Sequence, residues 1–178
     1  METPNNIQNF ARLMLQNRPF AAARLKAGPL TPRIQGTVKF YPAYSGTLVT
    51  AEVVGLPNYD QPGPSAPFAF HIHEGSSCET GDYNNPFTAA GGHYNPHGLE
   101  HPFHAGDMPV LFSNKGYAFL AFYTDRFIPR EVLGRTVIIH EKPDDFTTQP
   151  AGNAGKRIAC GVIQPYSSVQ NPAVPFSG

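Results

Sequence analysis

The chain has 178 residues, which is long enough for one domain with a buried core. It carries 13 Lys and Arg residues against 13 Asp and Glu residues, so its charge gives no reason to expect a nucleic acid or an anionic membrane as partner. Its apolar runs are shorter than the ~20 residues that a bilayer-spanning helix needs. We therefore expect a globular protein whose partners are neither nucleic acids nor membranes.

Residues 1–20 form an N-terminal extension, which we predict to be helical. Apolar side chains within residues 5–17 fall on one helical face, among them Phe10 and Met14, and Pro19 ends the pattern. Such a helix either packs on the domain or contacts a partner, and the sequence leaves both readings open.

Short apolar runs rich in Val, Ile, Phe, Tyr and Thr follow, and 17 glycines and 19 prolines punctuate the chain. We predict strands at residues 21–26, 34–41, 46–56, 68–73, 110–112, 116–125, 137–141 and 159–164. Eight short strands with turn signals between them indicate an all-β sandwich or barrel with Greek-key connections. The domain is expected to span residues 21–165, and residues 166–178 to form a loosely ordered tail.

Six of the seven histidines lie in one stretch, from Phe70 to Asp107. Most of that stretch, residues 74–108, has no strand or helix periodicity, and a long irregular loop in a compact domain is usually functional or disordered. One histidine alone is most often a surface or core residue. Six together, two of them alternating in a strand, indicate a metal site, which would offset the entropy of ordering the loop.

Four of the histidines suit copper. His71 and His73 are two residues apart in a predicted strand, so both side chains point to the same face. His140 lies in another predicted strand and can approach across the sheet, while His93 can supply a fourth nitrogen from the loop. Four imidazoles in a flattened arrangement are typical of Cu(II).

The remaining ligands of the loop suit zinc. His101, His104 and Asp107, with His93 shared, would give the three nitrogens and one oxygen of a tetrahedral Zn(II) site. Sharing requires His93 to use both ring nitrogens, as an imidazolate. His97 lies four residues from His93 and four from His101, and it competes with His101 for the zinc.

Compartment and cysteine pairing stay open at this stage. Arg12 and Arg18 interrupt any apolar signal-peptide core, so we expect a cytoplasmic protein, or an exported one if a leader has been removed. The two cysteines, Cys78 and Cys160, are far apart in the sequence, and two cysteines alone do not decide between a disulfide and two thiols.

Six segments carry a family resemblance. They are FHIHEGSSC, GGHYNP, EHP, HAGD, GRTVIIHEKPDD and AGNAGKRIACGVI, in that order along the chain. Together they resemble copper/zinc superoxide dismutases over roughly residues 21–164. The resemblance implies a flattened eight-stranded Greek-key β-barrel with long metal-binding loops, one copper and one zinc per chain, and superoxide as the substrate that is dismuted to dioxygen and hydrogen peroxide.

The resemblance also implies a role for individual residues. The positions that match the family's copper ligands are His71, His73, His93 and His140, and those that match its zinc ligands are His93, His101, His104 and Asp107. Asp144 matches an aspartate that hydrogen-bonds one copper and one zinc histidine, and Arg157 matches the arginine that guides the anion to copper. In the family's reaction the bridging histidine, here His93, takes and returns a proton. Cys78 and Cys160 match its intramolecular disulfide.

Some features depart from animal-type members of the family. The step of eight residues from His93 favours His101 over His97 as the zinc ligand. Both metal-site loops are short, as in bacterial-type members, so steering of superoxide must rest mainly on Arg157 and Lys156, with Lys142 as a helper. Taken alone, Arg157 would suit an ordinary surface ion pair with an aspartate near residue 144.

Two other functions fit parts of the sequence, and the oligomeric state stays open. A non-catalytic copper/zinc-binding protein of the same fold, for metal buffering or structure, is less favoured because all four copper ligands are present. A cupin-type metalloenzyme is disfavoured by the AGNAGKRIACGVI segment. A homodimer is possible, and the N-terminal extension could block or create its interface.

Overall fold

A computed structural model of the protein describes residues 7–57 and 67–166, so most of the predicted tail lies outside the described residues. The chain begins with helix α1 (Ile7–Gln16) and continues almost entirely as strands and loops. The strands are β1 (Ala21–Ala27), β2 (Gln35–Ala43), β3 (Gly46–Val54), β4 (Pro67–Phe68), β5 (Phe70–His73), β6 (Gly81–Asp82), β7 (Asn85–Pro86), β8 (Leu111–Phe112), β9 (Ala118–Thr124), β10 (Thr136–His140) and β11 (Arg157–Pro165). The all-β prediction with a short N-terminal helix is confirmed, and every predicted strand is present within a few residues of its expected bounds.

Seven strands form one curled antiparallel sheet in the order β5–β10–β11–β1–β2–β3–β9. Strands β4 and β8 pair separately, as do β6 and β7. Because side chains alternate along a strand, Val38, Phe40, Val49 and Ala51 point into the apolar core and are fully buried. The sheet therefore has an inner face that forms the core and an outer face that the loops cover in part.

Helix α1 packs on the outer face of the sheet. Phe10, Leu13 and Met14 contact a second apolar cluster that contains Leu48 and Tyr123. Leu48 precedes Val49, which points inward, so the helix covers the face opposite to the core. The sequence left open whether the N-terminal helix packs on the domain or contacts a partner, and the described residues of the helix pack on the domain.

Two features of the sheet position the histidines. Strand β5 lies at one edge of the sheet, and β10 lies beside it with His71 paired to Ile138. A register shift after Ile139 then places Arg157 opposite His140. The shift works as a β-bulge, which re-aims a side chain. Ile158 accordingly lies in the core, while Arg157 is only partly buried.

No helix among the described residues has the length and apolar character that crossing a bilayer requires.

Candidate metal centre

The structure brings four histidines into one buried group. His71 and His73 come from β5, His140 ends β10, and His93 comes from the loop, where it pairs with the backbone of His73. One nitrogen from each ring lies within 4.8 Å of the others, and all four residues are buried. These are the four residues that the sequence predicts to be copper ligands.

Hydrogen bonds fix which nitrogen of each ring is free. His73 Nδ1 donates to Gly91 O at 2.9 Å, and His140 Nδ1 donates to Gly155 O at 3.2 Å. A carbonyl only accepts, so these nitrogens carry the protons and the Nε2 atoms carry lone pairs. His73 Nε2 and His140 Nε2 face each other at 3.3 Å. Two lone pairs at that distance repel each other unless a cation or a proton lies between them.

A second group adjoins the first. It contains His93, His101, His104 and Asp107, whose ligand atoms also lie within 4.8 Å of one another. Asp107 Oδ2 lies 3.1 Å from His101 Nδ1 and 3.3 Å from His104 Nδ1, and His104 Nδ1 lies 3.4 Å from His93 Nδ1. Ligands at ~2.0–2.1 Å from a tetrahedral Zn²⁺ lie about 3.3 Å apart, so the spacing of these atoms fits that metal.

His93 belongs to both groups. Its Nδ1 lies 2.7 Å from Asp107 Oδ1, on the side of the second group. Its Nε2 is buried and has no hydrogen-bond partner among the described residues, and the same holds for His71 Nδ1 and His101 Nδ1. An orphaned buried ring nitrogen is costly unless it binds something. Unpartnered nitrogens in both groups therefore fit two metals that share His93.

Asp144 links the two groups from behind. Its Oδ2 accepts from His71 Nε2 at 2.7 Å, and its Oδ1 accepts from His101 Nε2 at 2.9 Å. Each bond leaves Nδ1 of the ring deprotonated and aimed at its group, which is how a carboxylate orients a histidine ligand. The N–H of Phe146 also donates to Oδ1, at 2.7 Å.

Gly152 makes room for that carboxylate. A Cβ at this position would lie 1.8 Å from Asp144 Oδ1 and 2.8 Å from His101 Nε2, and the backbone has a positive φ of 64°. Both facts require glycine. The AGNAG segment thus contains a glycine, Gly152, that the site needs so that Asp144 can reach His101.

Burial keeps three of the histidine rings neutral. It lowers the pKa of His71 to about 4 and the pKa values of His73 and His140 well below 6.5. Burial alone would raise the pKa of Asp107, but the hydrogen bond from His93 and the neighbouring imidazoles bring it below its ordinary value. At neutral pH His71, His73 and His140 are therefore neutral imidazoles and Asp107 is a carboxylate, which are the protonation states that bind metal ions.

Arg157 lies at the edge of the first group. Its Nη1 donates to Phe87 O and its Nη2 to Gly91 O, the same carbonyl that holds His73. Both acceptors are neutral, so the guanidinium keeps an uncompensated positive charge beside the four histidines. These contacts differ from the surface ion pair that the sequence left as an alternative.

The two histidines that competed for the second group lie in different environments. His101 is buried between Asp107 and Asp144, whereas His97 is exposed on a turn and outside both groups. In the sequence, only the resemblance to the family favoured His101 over His97. In the structure, the two residues lie in different places.

Sequence reasoning missed two residues that hold the second group. The side chain of Gln149 donates to His101 O at 2.6 Å and accepts from His101 N at 3.0 Å. Arg126 Nη1 donates to Pro102 O at 2.9 Å and to His104 O at 3.2 Å. Their partners are backbone atoms distant in the sequence, and no spacing pattern announces such contacts.

The predicted disulfide is confirmed. Cys78 and Cys160 are bonded, with a sequence separation of 82 residues. Cys160 is fully buried in a small cluster with Phe87 and Ile138, and Cys78 is partly buried against it. The bond ties the loop after β5 to β11, the strand that carries Arg157.

A curled antiparallel sheet carrying two adjoining groups of buried imidazoles, one with a carboxylate, defines a histidine-ligated protein for two metal ions. Residues 34–163 match the family described as copper/zinc superoxide dismutase (SODC). The Cu-Zn superoxide dismutase of Deinococcus radiodurans is 38% identical over 151 residues, covering 75% of this chain and 79% of that protein. A Cu-Zn superoxide dismutase of Aquifex aeolicus is 40% identical over 144 residues, covering 72% of this chain and 79% of that protein.

Solved structures agree with the sequence relatives. The Cu/Zn superoxide dismutase from Brucella abortus matches with a TM-score of 0.64 at 28% identity, over 80% of this chain and 98% of that one. A double mutant of a superoxide dismutase-like protein from Bacillus subtilis matches with a TM-score of 0.66 at 29% identity, over 80% and 96%. The chain belongs to the copper/zinc superoxide dismutase family. It is an oxidoreductase of the Greek-key β-barrel fold that acts on superoxide with copper and zinc.

Proposed function

We propose a specific assignment of the two metals and of the residues that serve them. Copper is held by His71, His73, His93 and His140, and zinc by His93, His101, His104 and Asp107. The observation that carries this assignment is the position of His93, whose two ring nitrogens face the two groups. Copper would exchange single electrons with superoxide, and zinc would hold the loop and the shared imidazole in place.

His93 is the proton carrier in this proposal. Dismutation of two superoxide ions consumes two protons, which form hydrogen peroxide. Nε2 of His93 is buried and unpartnered, so it is the atom of this ring that can take up a proton and release it. Asp107 and His104 hold the opposite side of the ring, and the imidazole thus keeps its orientation through the proton transfer.

Arg157 attracts the substrate. Superoxide is an anion, and the Arg157 guanidinium, whose hydrogen-bond acceptors within the described residues are two neutral carbonyls, presents its charge to it. The bulge that places Arg157 opposite His140 keeps this charge next to the copper ligands. Asp144 is a positioning residue, because its carboxylate oxygens accept from His71 and His101 and so orient these two rings.

The assignment is tested by loading metal-free protein with copper and zinc and measuring metal content and superoxide removal on the same sample. We expect one copper and one zinc per chain and removal far above that of free copper at equal concentration. His101→Ala should lose zinc, and the matched variant His97→Ala should keep it. Zinc loss from His97→Ala with retention in His101→Ala would reverse the zinc assignment.

The same loading experiment tests the non-catalytic alternative. A copper- or zinc-buffering protein of this fold would take up zinc and fail to bind copper, or would bind both without removing superoxide. All four histidines of the copper group are present and buried, and the lowered pKa values of His71, His73 and His140 keep those three rings neutral at pH 7, so the enzyme is favoured.

We also propose that two chains associate through the hairpin between β8 and β9. Phe112 and Phe119 are 61% and 58% exposed there, and Tyr117 lies between them in the sequence. The bridge between Asn114 and Tyr117 joins the two segments that carry these rings, and large exposed aromatic side chains on one hairpin are typical of interaction surfaces. Sedimentation should give a dimer for the wild type and a monomer for Phe112→Ser/Phe119→Ser. A wild-type monomer would refute the proposal.

The cytoplasmic location expected from the sequence stays a prediction, since a disulfide is compatible with either compartment. Cell fractionation with an antibody to the protein checks it directly.

A further inference from the structure

A groove of about 410 Å³ lies beside the disulfide, away from the metal ligands. Its lining includes Cys78 and Cys160 together with Arg24, Lys26 and Tyr166. This volume is within the range of sites that hold small molecules. The groove therefore combines a reactive bond, two cations and enough room for a ligand the size of a short peptide.

Strand register concentrates positive charge on this part of the sheet. Lys26 is paired with Cys160, so the two side chains point to the same outer face. Arg24, two residues away, shares that face, and β2 places Lys39 there opposite Ala22. The neighbouring positions of this face on β11, β1 and β2 are uncharged; they are Cys160, Val162, Gln164, Ala22, Gln35 and Thr37. The acidic residue of this face is Glu52 on β3, opposite Thr37, and it lies outside the groove, whose charged lining residues are Arg24 and Lys26.

The two sulfur atoms differ in access. Cys78 is half-buried, whereas Cys160 is fully buried. A nucleophile that enters the groove therefore reaches Cys78 Sγ, and Cys160 is the leaving group. A thiolate on Cys160 would form next to Lys26, its partner in the ladder, and a neighbouring cation stabilises a thiolate.

We propose that this groove binds small thiols that carry carboxylates, of the class of glutathione, and that the bound thiol exchanges with the Cys78–Cys160 disulfide. The thiolate attacks Cys78 Sγ, the Sγ–Sγ bond breaks, and its electron pair leaves on Cys160 Sγ. A second thiol attacks the sulfur of the bound thiol, which releases the oxidised small disulfide and leaves both cysteines reduced. Two thiols supply the two electrons, and the reverse sequence forms the bond.

The exchange acts on a segment that the metal centre uses. The disulfide tethers the loop whose Phe87 and Gly91 carbonyls accept from Arg157. The proposal itself concerns the groove and the disulfide, and its test needs no measurement of superoxide removal.

The test compares thiols of different charge on the metal-loaded protein. Disulfide opening is followed by alkylation and mass measurement with glutathione, 2-mercaptoethanol and cysteamine, which are anionic, neutral and cationic. Each rate is divided by the rate of the same thiol with bis(2-hydroxyethyl) disulfide, to remove differences in intrinsic reactivity. We expect glutathione to be favoured over 2-mercaptoethanol by about fivefold or more at low salt, and the preference to shrink as salt is added.

Two double variants decide whether the groove is responsible. Arg24→Gln/Lys26→Gln should abolish the preference, and both side chains are exposed, so the fold should tolerate the change. Arg33→Gln/Lys115→Gln removes the same charge from a different cleft and should leave the preference intact. An equal preference in both double variants overturns the proposal, as does a normalised rate that is the same for all three thiols at low salt.

The site of attack provides a second readout. Quenching the reaction early and mapping the mixed disulfide should place glutathione on Cys78. Glutathione found on Cys160 instead would contradict the order of attack and, with it, the role of Lys26 beside the leaving sulfur.

Discussion

Removing the disulfide should cost the metal-free protein a large share of its stability. The bond closes a loop with a sequence separation of 82 residues. In the chain-entropy model, a loop of that length restricts the unfolded chain by about 4.5 kcal/mol at room temperature. Metal ions bind the native state and would add their own stabilisation, so the comparison must be made without them.

Urea unfolding of oxidised and reduced wild-type protein measures this contribution while leaving both sulfur atoms in place. At a slope of ~2 kcal/mol/M, a loss of about 4.5 kcal/mol lowers the midpoint by about 2 M. Cys78→Ala/Cys160→Ala should unfold near the reduced wild type, slightly lower because Cys160 is buried, and should not respond to reductant. A difference below about 1 kcal/mol between oxidised and reduced wild type would refute the reasoning.

Three further predictions follow from the metal centre. Gly152→Ala should displace Asp144 and weaken zinc binding by at least tenfold. The control variant Gly134→Ala adds a Cβ at a similar positive φ but into open space, so it should bind zinc normally. Equal zinc affinities of the two variants in a competition titration would contradict the steric argument. Arg157→Gln should lower kcat/KM about tenfold or more at unchanged metal content, because the charge that attracts superoxide is lost. Arg157→Lys keeps the charge and should retain the dependence of the rate on salt. A Gln variant with the wild-type rate would show that Arg157 does not attract the substrate. Burial lowers the pKa of His71 to about 4, so the stability that its neutral form contributes is complete above pH 6.5 and is lost as the pH falls towards 4. Urea midpoints of the metal-free protein should therefore fall between pH 6.5 and pH 4. Midpoints that stay level over this range would contradict the prediction.

The sequence predicted much of the fold because the strands carry strong local signals. Alternating apolar residues in β2 and β3, and the pair His71 and His73 in β5, place side chains on definite faces without any knowledge of the rest of the chain. Family motifs then supplied the pairing of Cys78 with Cys160, which spacing alone left open.

What the sequence missed depends on contacts between distant segments. The bulge at Ile139 that brings Arg157 opposite His140 is set by pairing between β10 and β11. The clamp of Gln149 on the backbone of His101 joins two loops that have no periodicity of their own. Such contacts form only when the loops pack on the sheet, so no local pattern encodes them.

The choice between His97 and His101 shows the same limit. Both are loop histidines at plausible distances from His93 along the chain. The structure separates them because Asp144 and Asp107 approach His101 from two sides, while His97 stays in solvent. Burial and the partners of a ring therefore carry the information that spacing lacks.

The central claim is that His71, His73, His93 and His140 hold the redox metal while a separate set holds zinc. Its most direct test is His140→Ala, because His140 belongs to the copper group alone. After loading with both metals, the variant should keep one zinc per chain, bind copper at least tenfold more weakly, and lose superoxide removal. A variant that removes superoxide at the wild-type rate with copper bound would contradict the account.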